Sequence, residues 1–427
     1  MQLPIHTHVL ANGLRLVISP DRTAPIVAVN VWYHVGSANE RPGRTGFAHL
    51  FEHMLFQGSE HVAANEHFEL VQRAGGTVNG STWIERTNYY ETVPSHQLAL
   101  ALWLEADRMG RLLPAMTQEK LDTQRDVVKN ERRWSVDNQP YGTWWERLPA
   151  LAFPPEHPFH HSLIGSMEDL DAALLDDVKE FFATWYTPDN AVLTIVGDVD
   201  VADAVSLASS TFGGIPRGPG RPATPSTDIA PRVGSWIRDV VEDDVMVPRV
   251  YLAFRTPPFG TPLHAAAAIT TAVLGSGKGS RLHQRLVREQ QLATSAVAYT
   301  FDLARGSDLL ILEVTARAGV DAATLESAVA GEVDALAREG CTASDIERAV
   351  ALTTTEFVTS MQSAQARADR LSQYATYLGD PALLNSQVAR LDAVDADAVT
   401  QFARAWLGTD NRVSLVFVPR AGTEAVA

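Results

Sequence analysis

Cysteine is almost absent from this sequence, since Cys341 is the only one among 427 residues. A single thiol excludes an intramolecular disulfide and any metal cluster held by several cysteines. A metal ion bound by this chain would therefore need ligands from histidine, aspartate or glutamate.

Long apolar runs are also missing. No segment approaches the roughly 18 consecutive apolar residues that indicate a membrane-spanning helix. The first eight residues lack the basic and apolar regions of a signal peptide. The sequence therefore predicts no membrane span, and we take the cytoplasm as the default location. A periplasmic protein whose leader had been removed would look the same.

Positive charge is scarce relative to negative charge. The chain carries 35 lysines and arginines against 51 aspartates and glutamates, which gives a formal net charge of −16. Nucleic acids bind basic surfaces, so this balance argues against nucleic acid as a partner. The hydrophobic content of 45% and the charged content of 20% are typical of an ordinary globular protein.

The length of the chain predicts more than one domain, because single hydrophobic cores stop growing at this size. Residues 214–234 are rich in proline and glycine, which is typical of a linker. We therefore predict an N-terminal domain over residues 1–213 and a C-terminal domain over residues 235–427.

The two halves of the chain repeat one another. The run from Val178 to Val192 aligns at a constant offset with the run from Val399 to Val413, and Val, Phe, Trp, Asp-Asn and Val coincide. The predicted fold class is α+β, with two homologous α/β-sandwich domains. Each domain is expected to contain a mainly antiparallel sheet flanked by helices, and the two are expected to face each other like a clamshell around a cleft.

One apolar stretch carries an unusual set of polar residues. Within residues 46–58, His49, Glu52 and His53 form the pattern H-x-x-E-H. Residues four apart on a helix lie roughly 5–6 Å from each other at Cβ, so both imidazoles could bind one ion. Glu52 shares that face and could accept a proton from an attacking water. Burying these groups is costly unless they are paired or coordinate a metal, which favours a metal site over a chance pattern.

A third ligand is expected from a different helix, and the helix predicted over residues 117–134 offers Glu131. The pattern H-x-x-E-H followed by V-V-x-x-E-R-R at residues 127–133 resembles the M16 family, the pitrilysin or insulinase-type zinc peptidases. The resemblance is to the shorter members, such as the zinc-bearing subunit of the mitochondrial processing peptidase. It covers the whole chain and includes the pattern G-G-x-x-N at residues 75–79.

This resemblance implies that His49, His53 and Glu131 bind one Zn²⁺ per chain and that Glu52 is the general base. Residues 1–213 are then the zinc-binding catalytic domain, and residues 235–427 are the homologous domain without a metal site. It also implies a zinc endopeptidase that hydrolyses short or unfolded peptides inside a closed cleft. In this family an acidic residue often precedes the third ligand by seven positions. Gln124 stands at that place here, so the surroundings of the site carry one negative charge fewer than the family pattern implies.

Residues Asn79, Gly80, Ser81 and Thr82 resemble the edge strand with which this family binds the backbone of a substrate. Adding a peptide strand to a sheet edge uses main-chain hydrogen bonds, which suits broad specificity for unfolded peptides. The alternative is a purely structural strand in which Asn79 serves a turn.

The second half departs from the family pattern. Self-sufficient members carry an arginine and a tyrosine there, and Val287 and Thr294 occupy those two places. Arg288 is one position away, which turns it by about 100° on a helix. We interpret Arg288 as a solvated arginine and Tyr299 as a packed strand tyrosine. We therefore predict a catalytic subunit of a heterodimer, whose homologous partner supplies the missing pair. A homodimeric peptidase and a non-catalytic scaffold or peptide-binding subunit are the alternatives.

Two further groups of residues have a structural interpretation. The histidines of a proline-rich loop are expected to be exposed rather than metal-binding, and three tryptophans are expected to pack in the core. The histidines are His157, His160 and His161, and the tryptophans are Trp134, Trp144 and Trp145.

Overall fold

The structure is a computed structural model that describes residues 2–220 and 223–420. The strands are β1 (His6–Val9), β2 (Arg15–Pro20), β3 (Ile26–Tyr33), β4 (Thr77–Thr82), β5 (Thr87–Pro94), β6 (Ala191–Gly197), β7 (Ile237–Asp243), β8 (Arg249–Thr256), β9 (Ala293–Thr300), β10 (Asp308–Ala316) and β11 (Arg412–Pro419). The α-helices are α1 (Phe47–Met54), α2 (Glu66–Arg73), α3 (Leu98–Arg111), α4 (Gln118–Arg132), α5 (Trp144–Ala152), α6 (Met167–Asp171), α7 (Leu175–Trp185), α8 (Val201–Phe212), α9 (His264–Gly275), α10 (Ala322–Glu339), α11 (Ala343–Ser360), α12 (Ala364–Tyr377), α13 (Gln387–Asp392) and α14 (Ala396–Trp406).

The chain divides into two compact units, and each is assembled from three stretches of sequence. Unit 1 contains Met1–Arg132, His161–Pro225 and Val358–Ser386, and unit 2 contains Arg133–His160, Ser226–Phe357 and Gln387–Ala427. Helix α12 of the second half thus belongs to unit 1, and helix α5 of the first half belongs to unit 2. The two helices stand at matching places in the repeat. The domain boundaries given above follow the repeat along the chain and stay a prediction.

Unit 1 is organised on a six-stranded sheet with the order β1-β2-β6-β3-β5-β4. Strands β2 and β6 run parallel and the other neighbours run antiparallel. Helix α12 covers one face, where Asp369 accepts a hydrogen bond from Asn88 at 3.1 Å and Ser372 donates one to Thr194 at 2.8 Å. Helices α1 and α3 pack on the other face. Strands β3 and β6 are therefore buried along nearly their whole length.

Unit 2 repeats this plan with a five-stranded sheet in the order β7-β11-β8-β10-β9. Strands β7 and β11 run parallel, and the remaining pairs are antiparallel. Buried apolar side chains of α9, α10 and α14, such as Ile269, Val329 and Phe402, form one hydrophobic core with the sheet. Helix α5 packs against β8 and β11, and the ring of Trp144 stacks on that of Tyr251 with 5.0 Å between centroids.

The predicted fold class is confirmed, because the protein is a mixed helix-and-sheet protein with two mainly antiparallel sheets flanked by helices. No helix of the described residues combines the length and the hydropathy that a membrane-spanning segment needs.

Two structural expectations are wrong. Trp134 is 72% exposed, on a π-helical turn (Arg133–Asp137) that follows α4, whereas Trp144 and Trp145 pack against aromatic rings of unit 2. His157 is buried rather than exposed, with its ring stacked on Phe153 and its Nε2 atom 3.3 Å from the Thr227 carbonyl. Residue type alone does not decide burial in these cases, because the surrounding loops and helices determine which side of the chain faces solvent.

Candidate metal centre

Helix α1 carries His49, Glu52 and His53, and its start is fixed by Glu40 from the preceding loop. The two carboxylate oxygens of Glu40 accept the N–H groups of Gly46 at 2.9 Å and of Ala48 at 2.7 Å. The first N–H groups of a helix lack intrahelical partners, so Glu40 acts as a cap from outside the helix. Burial raises the pKa of the Glu40 carboxyl well above its usual value, and the two hydrogen bonds act in the opposite direction. Glu40 was not identified from the sequence, because an acidic residue in a polar loop gives no signal of burial.

The apolar side of α1 is buried in unit 1 through Leu50, Phe51 and Met54. This packing leaves His49 and His53 together on another side of the helix, with 4.8 Å between their ring centroids. Their side chains are 12% and 23% exposed. The two imidazoles are therefore neighbours that remain partly accessible.

Helix α4 brings Glu131 to the two histidines. Its Oε1 atom lies 3.7 Å from Nε2 of His49, and its Oε2 atom lies 3.3 Å from Nε2 of His53. One donor atom from each of the three residues lies within 4.8 Å of the others. Gln124 lies on the same side of α4, two turns before Glu131, and is buried. The structure thus brings together the three predicted ligands.

The donor set fits Zn²⁺. In a tetrahedral site with bonds of about 2.0–2.1 Å, neighbouring donor atoms lie about 3.3–3.5 Å apart. The distance from His53 Nε2 to Oε2 of Glu131, 3.3 Å, lies in this range, and the distance from His49 Nε2 to the other oxygen, 3.7 Å, is slightly longer. Two imidazole nitrogens and a carboxylate oxygen are also the ligand types of catalytic zinc sites, which keep a fourth position open. The Glu131 side chain is 38% exposed, so solvent reaches the group.

The local electrostatics of His49 and Glu131 favour the protonation states that metal binding requires of these two residues. Burial, together with the neighbouring His53, lowers the pKa of His49 to about 4, and the nearby Glu131 opposes this shift only partly. A hydrogen bond from His53 lowers the pKa of the Glu131 carboxyl. At neutral pH His49 is therefore a neutral imidazole and Glu131 a carboxylate, as ligands must be.

Glu52 lies between the histidines in sequence and is held by the strand beside α1. Its Oε2 atom accepts the hydroxyl of Thr82 at 2.7 Å. Burial raises the pKa of Glu52, and the hydrogen bond from Thr82 acts in the opposite direction. A raised pKa makes a carboxylate a better proton acceptor near neutral pH. Thr82, which was predicted to bind substrate, thus directs its side chain to Glu52, and this contact was not predicted.

Strand β4, which contains Asn79, Gly80 and Ser81, forms an edge of the unit 1 sheet. Among the described strands it pairs with β5, and its other edge has no strand beside it. The side chain of Asn79 accepts the N–H of Gly80 at 2.9 Å, and Ser81 donates to Asn88 at 2.6 Å. An unpaired edge can accept an additional strand. Asn79 lies within the strand and not in a turn.

Gly80 allows β4 to approach the base closely. A Cβ atom at this position would lie 3.3 Å from Cγ of Glu52 and 3.2 Å from ring atoms of both Phe56 and Tyr89. A larger residue would press on these neighbours, so the absence of a side chain keeps the strand backbone beside Glu52. Gly80 therefore allows the edge strand to lie next to the Glu52 side chain.

The two places at which the family carries an arginine and a tyrosine have other contacts here. Val287 packs against the hydrophobic core of unit 2, and the hydroxyl of Thr294 donates to the carbonyl of Thr315 at 3.3 Å. Arg288 is exposed. The hydroxyl of Tyr299 donates to Glu313 at 3.4 Å, and burial raises the pKa of this tyrosine. Arg288 and Tyr299 have the surroundings that their sequence interpretation predicts.

Comparison with known families identifies the chain. Residues 15–156 match the family Insulinase (Peptidase family M16), and residues 173–353 match the Peptidase M16 inactive domain. The chain belongs to the M16 peptidase family. The resemblance inferred from the sequence is thereby confirmed. The match to the inactive domain begins within the first half, after H-x-x-E-H, and extends through much of the second half.

Several M16 proteins resemble this one over most of their length. The zinc protease PqqE of Helicobacter pylori is 29% identical over 400 residues, which cover 93% of this chain and 89% of that protein. The probable mitochondrial-processing peptidase subunit beta of Arabidopsis thaliana is 26% identical over 426 residues, which cover 95% of this chain and 78% of that protein. The crystal structure of a protease from Helicobacter pylori has a TM-score of 0.92 at 26% identity and covers 98% of this chain and all of that one.

Proposed function

We propose that this M16 protein is a zinc-dependent endopeptidase that hydrolyses short or unfolded peptides. The observation that carries the proposal is the group formed by His49, His53 and Glu131, with the half-buried carboxylate of Glu52 on the same helix as the two histidines. The name of a relative, a zinc protease, supports zinc as the metal. One zinc ion per chain would act as a Lewis acid that acidifies water and polarises the scissile carbonyl.

Glu52 performs the proton transfers of this reaction. Its carboxylate takes a proton from the attacking water and then delivers it to the departing amine, so that the same group serves as base and acid. The hydroxyl of Thr82 fixes the orientation of the carboxylate through its hydrogen bond to Oε2. The second oxygen of Glu52 is then the one that exchanges the proton.

The free edge of β4 orients the substrate. A peptide in extended conformation adds to this edge through main-chain hydrogen bonds, and Gly80 keeps the added strand near Glu52. Asn79 and Ser81 lie along the same strand and contact the added peptide. Since such pairing needs an unpaired backbone, unfolded peptides are the substrates that fit.

We also propose that the chain is the catalytic subunit of a heterodimer. Val287 and Thr294 engage the core and a backbone carbonyl, which supports the interpretation that a homologous partner supplies an arginine and a tyrosine. The Arabidopsis relative is named a beta subunit, which supports the proposal that this chain acts together with a second, homologous subunit. A homodimeric peptidase is the alternative assembly. A non-catalytic scaffold is disfavoured, because it has no need for this group of four residues.

The test of the function is cleavage of fluorogenic, unstructured peptides by the purified, zinc-loaded chain. Cleavage that a chelator abolishes supports the peptidase and contradicts the need for a partner. Absence of cleavage with zinc bound, followed by activity on addition of a homologous subunit, supports the heterodimer. If the zinc-loaded chain is inactive both alone and with such a subunit, the proposed function is wrong.

A further inference from the structure

A short stretch of unit 1 contacts both helices of the metal centre. Residues 164–173, here called the bridge segment, include α6 and lie between the start of α1 and the side of α4. None of these residues is a predicted ligand or base. Their contacts nevertheless connect the helix that carries the two histidines with the helix that carries Glu131.

The first set of contacts joins the bridge segment to Thr45 and Gly46, the two residues that precede α1. The carboxylate of Asp169 accepts both the N–H of Thr45 at 3.0 Å and its hydroxyl at 2.5 Å. The same hydroxyl accepts the N–H of Ser166 at 3.1 Å. Thr45 is thus held by two residues of the bridge segment immediately before α1 begins.

Two glycines allow the backbone of the bridge segment to contact the backbone of residues 45–46. A Cβ atom on Gly165 would lie 2.4 Å from the carbonyl oxygen of Thr45, and one on Gly46 would lie 2.5 Å from that of Ile164. Both glycines also have positive φ, 79° and 85°. The contact is therefore backbone against backbone, and it leaves no room for adjustment by flexible side chains.

The second set of contacts begins with Arg125 of α4. Its Nε donates to the carbonyl of Leu170 at 2.9 Å, and Nη2 donates to that of Ala173 at 2.7 Å. These carbonyls lie at the end of α6, where backbone oxygens lack intrahelical partners and attract positive charge. The Arg125 side chain is only 15% exposed, so this contact is shielded from solvent.

Two more cations of α4 continue the contact along the same helix face. Lys129 Nζ lies 2.6 Å from Oδ1 of Asp171, and Arg132 Nη1 donates to the carbonyl of Gly165 at 2.7 Å. Positions 125, 129 and 132 recur at the i, i+4, i+7 spacing that places side chains on one side of a helix. Arg125, Lys129 and Arg132 are called the three α4 cations below.

Helix α4 packs directly against α1, but few of its side chains are buried. It spans 15 residues, of which Leu121, Gln124 and Val128 are buried. Glu131 stands in its last turn, directly before Arg132. A small rotation or shift of α4 would therefore move the carboxylate away from the histidines, whereas zinc–ligand distances vary by only about 0.2 Å.

We propose that the three α4 cations are positioning residues of the metal site. By holding α4 on the bridge segment, which also holds the start of α1, they set the place of Glu131 relative to His49 and His53. This inference rests on the proposed zinc site. Groups that orient metal ligands contribute about 10–100-fold to metal affinity, and we expect an effect in that range.

The test measures zinc affinity of the full chain by competition with a chromophoric chelator, together with the absorption spectrum of the Co²⁺-substituted protein. We expect Arg125→Gln and Arg132→Gln each to weaken zinc binding about 10-fold or more and to alter the Co²⁺ spectrum. Arg125→Lys, which keeps one cationic donor, should restore part of the affinity. Apo-protein Tm is recorded for every variant, so that loss of folding is separated from loss of positioning.

Lys120→Gln is the matched control, because Lys120 lies on the same helix but donates to the carbonyl of Ala115 outside the bridge segment. Wild-type affinity and spectrum in the Lys120 variant, with weaker binding in the other two, support the inference. Equal zinc affinity and equal spectra in wild type, Arg125→Gln and Arg132→Gln overturn it. If Arg125→Gln does not fold, Arg132→Gln and Lys129→Gln decide by the same criteria. A wild-type chain that does not bind zinc instead overturns the proposed function.

Discussion

The hydroxyl of Thr82 donates a hydrogen bond to Oε2 of Glu52 across 2.7 Å and so connects β4 to α1. Both residues are largely buried, at a place where the backbone of Gly80 also approaches Glu52. One strand therefore supplies the edge proposed for the substrate and the group that orients the proposed base. Strand β4 therefore fixes the position of the proposed base relative to the proposed substrate strand.

Replacing Thr82 by valine should lower kcat about 10-fold with unchanged zinc content. Hydrogen bonds to charged groups contribute about 1.5–3 kcal/mol, and a tenfold rate change corresponds to about 1.4 kcal/mol. Peptide cleavage and metal analysis of the same preparations provide the measurement. Thr82→Ser keeps the hydroxyl and should remain close to wild type. A fully active valine variant would show that the hydrogen bond does not serve the reaction.

Glu52→Gln and Glu131→Gln should separate the base from the ligand. Glu52→Gln should retain zinc and lose about 100-fold or more in kcat, because general-base catalysis contributes about 10²–10⁴-fold. Glu131→Gln should lose most of its zinc under the same purification. Metal content and peptide cleavage, measured side by side, check both statements. Full cleavage by the Glu52 variant contradicts its assignment as the base.

Glu40→Gln should destabilise the protein by about 1–3 kcal/mol, since it leaves a buried N–H group of α1 facing an amide donor. The measurement is urea unfolding of the metal-free protein. Glu180→Gln is the control, because Glu180 is an exposed acid that pairs with Arg41. If the two variants are equally stable, the hydrogen bonds of Glu40 at the start of α1 do not contribute to the free energy of unfolding.

A buried charge cluster should make stability depend on pH. Burial raises the pKa of Glu91 and of Glu105 to about 7, and the adjacent Arg108 opposes both shifts. Since these carboxyls bind protons more tightly in the folded state, their stabilising effect is complete below pH ~4.5 and is lost as the pH rises through about 7. Burial also lowers the pKa of His67, which contacts Glu91, to about 3, so this histidine acts in the opposite direction below pH ~6.5. Tm of the metal-free protein should therefore fall as the pH rises from about 6.5 to 8.

Glu91→Gln removes one of these titrating groups and should flatten this fall. Glu69→Gln serves as the control, because Glu69 forms only an exposed helix pair with Arg73, and its variant should follow the wild-type curve. An unchanged slope in the Glu91 variant would assign the pH dependence to other groups.

Cutting the chain in the predicted linker should not separate its two parts. Unit 1 includes Val358–Ser386 and unit 2 includes Arg133–His160, so each unit needs residues from both sides of the cut. The experiment introduces a protease site after Gly220, cleaves the folded protein and compares elution with and without denaturant. Co-elution of both fragments in native buffer is expected. Separation without denaturant would show that the helices taken from the opposite half contribute little.

The sequence by itself indicated the family, the fold class and the residues of the proposed metal centre. These features depend on local spacing: His49 and His53 share a helix face because they are four residues apart, and the repeat of Trp185 at Trp406 indicates duplication. The departure from the family pattern at Val287 and Thr294 is likewise visible in the order of residues alone.

Only the tertiary structure decided which distant residues serve this centre. Glu40 caps α1, Thr82 orients Glu52 and Arg125 binds the end of α6 through contacts between segments that no local period connects. The placement of α5 and α12 in the opposite units depends in the same way on which sheet face each helix covers. Hydrogen-bond partners and burial are set by packing across the whole chain, and for that reason they could not be predicted from patterns within short stretches.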